Sequence, residues 1–77
     1  MSTYNKELKI QLDQKVFDIK SNIKIHEYKL NYINELVSEK VLAERHVSKY
    51  KKELYKQLSE LYLKLEVIHS IINQYRL

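Results

Sequence analysis

Three histidines, ten carboxylates and fourteen lysine or arginine side chains are the groups with which this 77-residue chain could do chemistry. The histidines are His26, His46 and His69. None lies three or four residues from another, so no pair of imidazoles can grip a metal ion from one helix face. Cysteine is absent, which removes thiolate nucleophiles, disulfides and sulfur ligands together. Asp13, Asp18, Glu27, Glu35 and Glu39 are spread over several faces of a helix and form no recognisable catalytic motif. With no glycine there is neither a phosphate-cradling loop nor a nucleophile elbow. The expectation is a chain that is not an enzyme and that carries no cofactor and no metal.

Cations are the remaining chemistry. The stretch RHVSKYKKELYK, residues 45–56, holds five basic residues and one acid. Nucleic-acid binding by such a stretch needs cations and aromatic rings in one groove. On a helix, Arg45, Lys49, Lys52 and Lys56 form one file, spanning about 17 Å by helical rise. Tyr50 and Tyr55 point elsewhere. That file can touch two or three phosphates in a salt-sensitive way, or an acidic protein, but no base-reading motif accompanies it. A formal charge of +4 is modest for a nucleic-acid binder. Nucleic acid therefore stands as the weaker partner, behind a protein.

The element that must position these groups is helical almost throughout. Glycine and proline are both absent, so the usual punctuation of turns is missing, and strands would have nothing to turn on. Lys, Leu, Glu and Gln, all good helix formers, are plentiful. Ser2 or Thr3 can cap the start. The bias toward Lys, Ile, Leu, Tyr and Asn is of the kind AT-rich genomes encode, as in low-GC bacteria and their phages. The N-terminal residues contain no apolar segment of signal-peptide length, and no apolar run reaches the roughly 20 residues a membrane span needs. The chain is expected in the cytoplasm, its own or a host's.

Apolar spacing organises the helix. With Val16 at position a of a heptad, the seam runs through Val16, Ile19, Ile23, His26, Leu30, Ile33, Val37, Val47, Leu54, Leu58, Leu61, Leu65, Ile68, Ile72 and Tyr75. One register holds without insertion, the pattern of coiled-coil packing. It predicts an all-α, single-domain chain that self-associates along this seam into a bundle. Lys40, Glu44 and Lys51 weaken the middle of the seam. They leave two main architectures open. One is a continuous helix about 110 Å long. The other is a hairpin turning between residues 38 and 48, with arms near 3–38 and 48–76 and Ser48 capping the second. A break at Ser21–Asn22, giving three helices, is a third. Apolar residues flanking the seam in the second half, among them Leu36, Tyr62 and Ile71, suit a bundle better than a two-stranded zipper.

Two further features stand out. Ile10, Phe17, Ile25, Tyr28 and Tyr32 lie opposite the seam of the first half, an apolar band of the kind that marks a partner face. His26 occupies a seam position between Ile23 and Leu30, where a partly buried histidine is expected to set register or find a local hydrogen bond. The alternative is a pH-sensitive layer that loosens the assembly in acid, which His26→Leu tests. Together these features predict a non-enzymatic interaction module. It binds itself and a second protein, as an adaptor, assembly factor or inhibitor.

Overall fold

The computed structural model describes residues 3–77. They form two helices, α1 over Thr3–Ser38 and α2 over Glu44–Tyr75, joined by a five-residue turn. The chain folds back on itself as an antiparallel hairpin measuring 58 × 15 × 12 Å. The hairpin replaces the continuous helix, and α1 passes unbroken through Ser21 and Asn22. Of the two capping candidates, Ser2 lies outside the described residues.

The turn is built without glycine. Lys40 adopts a left-handed conformation, φ 63°. Its N–H donates to the Val37 carbonyl at 3.0 Å, and the Val41 N–H donates to Leu36 at 3.0 Å. Those two bonds satisfy carbonyls that the end of α1 would otherwise leave bare, the Schellman closure normally carried by glycine. The same closure ends α2, where Arg76 has φ 52° and the Leu77 N–H reaches the Ile72 carbonyl at 3.0 Å.

α2 starts at Glu44, one turn earlier than a Ser48 cap would place it. Its N-cap is Ala43, extended at φ −94° and ψ 156°, which has no side-chain oxygen to offer. His46 supplies half of the missing capping: its Nδ1 accepts from the Ala43 N–H at 3.0 Å. Glu44 sits in the first turn, where the positive end of the helix dipole favours a carboxylate.

Burial follows the apolar stripe. The buried residues are Ile19, Ile23, Leu30, Ile33, Val47, Leu54 and Leu58. All seven are seam residues, and Val37, Leu42, Leu61, Leu65 and Ile68 pack against them. Val16, His26 and Ile72 are half-buried, while Tyr75 is exposed. The stripe's two halves thus cover each other within one chain. The polar middle is absorbed by the turn. Lys40 is in it, Glu44 opens α2, and Lys51 reaches back two turns to pair with Glu44 at 2.9 Å.

Candidate functional site

Among the described residues, no three His, Asp or Glu side chains come together to hold a metal ion. No helix is long and apolar enough to cross a membrane. What the hairpin does arrange is a set of distinct surfaces on a narrow rod.

The first is the outer face of α1. At about 100° per residue, Ile10, Phe17, Ile25, Tyr28 and Tyr32 fall within an arc of roughly 80°. That arc points away from Ile19, Ile23, Leu30 and Ile33. Folding α2 against α1 leaves it uncovered: exposure runs from 51% at Ile25 to 73% at Tyr28. The band read from the sequence is therefore a real apolar rail on the folded chain. Single exposed apolar side chains are ordinary. Five aligned over six turns are a surface.

The second is the outer face of α2 near the turn. Arg45, Lys49, Lys52 and Lys56 are all exposed and stand in one file opposite Val47, Leu54 and Leu58. Tyr50 and Tyr55, each about half exposed, project to the two flanks and not along the file. Lys51 belongs to neither group. Its side chain is only 19% exposed and lies along the core toward Glu44, with its apolar stem covering neighbours. The Glu44 carboxylate, accepting its hydrogen bond, holds the Lys51 ammonium above the usual lysine range. Folding raises that value, so the pair's contribution is intact at neutral pH and is lost only as pH rises through it.

The third is a groove on one flank between the helices. It has a volume of about 470 Å³ and an apolar floor of Ile19, Leu61, Val67 and Ile68, with Lys15, Asp18 and Lys64 on its rim. Toward the turn it reaches His26, Gln57 and Glu60. Toward the free end of the hairpin the same flank continues into a hollow between Leu8, Ile71 and Tyr75. Sequence reasoning singled out Ile71 here but missed Leu63 and Val67, which sit off the seam yet are 60% and 57% exposed. The signal was present in LYLKLEVIHSII, residues 61–72, where apolar residues appear on every side of the helix.

His26 stands where groove and core meet. Its Nδ1 is 2.7 Å from the Asn22 carbonyl oxygen, and its Nε2 is 2.9 Å from Gln57 Oε1. The carbonyl can only accept, so Nδ1 carries a proton. As an imidazolium, the ring also donates from Nε2 to Gln57. As a neutral ring, Nε2 accepts once the Gln57 carboxamide turns its NH2 group inward. Either protonation state finds partners for both nitrogens. The residue is a polar tie between the two helices. Glu53, Glu60 and Lys64 are the charged groups nearest this tie.

No protein-family model matches the chain, and no curated protein or solved structure is significantly similar to it.

Proposed function

We propose that this chain is a non-enzymatic protein–protein interaction module: a helical hairpin that self-associates and holds a second protein, as an adaptor, assembly factor or inhibitor. The observation that carries this reading is the exposed rail of Ile10, Phe17, Ile25, Tyr28 and Tyr32 on the outer face of α1. It lies opposite the core, so the hairpin gains nothing by keeping it apolar. A partner helix or sheet does gain, through burial at roughly 25 cal/mol per Å² and through aromatic anchors of the type that dominate interfaces.

A photo-crosslinking residue at position 17 or 28 of the full chain tests this. The expected result is one protein captured at both positions, lost from position 17 with Tyr28→Gln plus Tyr32→Gln and from position 28 with Ile10→Gln plus Ile25→Gln. Capture that is indifferent to those changes overturns the reading.

A second reading is a small accessory protein that binds nucleic acid through Arg45, Lys49, Lys52 and Lys56. Its support is the unbroken cationic file, none of whose members appears in an ion pair among the described residues. It requires DNA or RNA binding at about 50 mM salt that weakens steeply with added salt and disappears when the four become glutamine.

A further inference from the structure

The hairpin is finished at one end and unfinished at the other. Among the described residues, every buried one lies between Ile19 and Ile33 or between Val47 and Leu58. Beyond them, the seam continues through Leu12 and Val16 on α1 and Leu61, Leu65, Ile68 and Ile72 on α2. All six are only half-buried. Over residues 61–72, α2 keeps Glu66, His69 and Ser70 on one flank but carries Val67 and Ile71 on the other, with α1 the one helix packed against it. An apolar face wider than one neighbour covers suits a bundle of more helices. A chain of 77 residues also has little core to lose, and chains of this size commonly complete it by association.

We infer that a second copy of this chain docks on the flank groove at the free end of the hairpin, making a four-helix dimer. This rests on the reading of the chain as a self-associating module and names the surface. From Ile19 to Ile33 and from Val47 to Leu58 the two halves of the seam already cover each other, so that part cannot serve a partner while the hairpin is closed. The free end can, because there Leu61 and Ile68 stay half-buried, Val67 beside them is exposed, and a second hollow is lined by Leu8 and Ile71.

Two observations point to another copy as the occupant. The rim carries both signs, with Lys15 and Lys64 beside Asp18 and Glu60. A two-fold arrangement presents the same patch to itself, and a mixed rim lets one copy's lysines meet the other's carboxylates. The one-sign cationic file, which two copies would find repulsive, is on the outer face of α2 near the turn, outside the groove.

Sedimentation equilibrium on the full chain, with circular dichroism in parallel, is the test. The wild type is expected at twice 9.4 kDa. Val67→Glu with Ile71→Glu is expected to weaken the dimer at least about tenfold without loss of helix. Phe17→Gln with Tyr28→Gln is expected to leave it intact. A complementary pair guards against misfolding: Lys15→Glu with Lys64→Glu, and Asp18→Lys with Glu60→Lys. Each is expected to be largely monomeric alone and to form a heterodimer when the two are mixed. The inference is overturned by a wild type that stays monomeric at about 0.1 mM, by a dimer indifferent to Val67 and Ile71, or by a charge-swapped mixture that stays monomeric. A dimer lost through Phe17 and Tyr28 alone overturns the groove and leaves self-association standing. Partner capture through the α1 rail is read separately by the crosslinking experiment.

Discussion

Lys40 holds φ at 63° in the turn, a conformation that costs a residue with a Cβ roughly 1–2 kcal/mol. The turn depends on that conformation, because both Schellman hydrogen bonds close around it. Lys40→Gly relieves the steric cost and adds chain freedom to the unfolded state, so the net gain is expected at about 1 kcal/mol, read as a higher urea midpoint by circular dichroism. His26 and Gln57 offer a second measurement at this scale. Their 2.9 Å contact joins residues on opposite helices, and a double-mutant cycle of His26→Leu and Gln57→Leu is expected to give a coupling of about 1 kcal/mol. Coupling near zero would mean that each side chain is satisfied by its own helix or by water.

At the scale of elements, the two ends of the turn differ in quality. The end of α1 is closed by backbone hydrogen bonds onto Glu35, Leu36 and Val37, whereas the start of α2 has an alanine where a capping oxygen belongs. The Ala43 backbone is already extended, as a capping Ser or Asp requires. Ala43→Ser is therefore expected to stabilise the hairpin by about 0.5–2 kcal/mol, measured by thermal unfolding. Ala43→Val is expected to give no such gain. This junction also explains what could be read in the sequence. The helical arms were legible because the stripe from Val16 to Ile72 keeps its spacing, broken on the arms only by His26 and Lys51, although the same pattern left a continuous helix as open as the hairpin. The site of the turn was visible only as a cluster of charges, Lys40 and Glu44, at positions that should be apolar. Its construction was not visible. Left-handed lysine and an imidazole accepting from a cap N–H are both choices that residue preferences argue against, which is why Ser48, the better capping residue by type, drew the helix start one turn too late.

On the scale of the whole molecule, a rod 58 Å long separates its surfaces by side and by end. The rail on the back of α1 was legible from the sequence, because a helix facing a single partner must leave its far side bare and Ile10, Phe17, Ile25, Tyr28 and Tyr32 align there. The flank groove was not. Leu63 and Val67 fall outside the seam, and only the position of α1 shows which of the apolar residues on α2 remain uncovered. Fidelity to one apolar period was the readable part of the fold. The apolar residues added outside that period, Leu63, Val67 and Ile71, are the part that points outward.

The gradient of burial along the hairpin also sets an order of assembly. Ile33 and Val47 are fourteen residues apart in sequence, so once the turn forms, the contacts around them close a short loop. Leu8 and Ile71 are 63 residues apart, and they meet only after every layer between them has zipped shut. Loop closure grows costlier with length, so the tight layers next to the turn act as the nucleus and the loose layers at the free end close last and reopen first. The two helix ends farthest from the turn are therefore the most transient part of the structure in time as well as the least covered in space, and whatever binds there captures the hairpin at the final step of its closing.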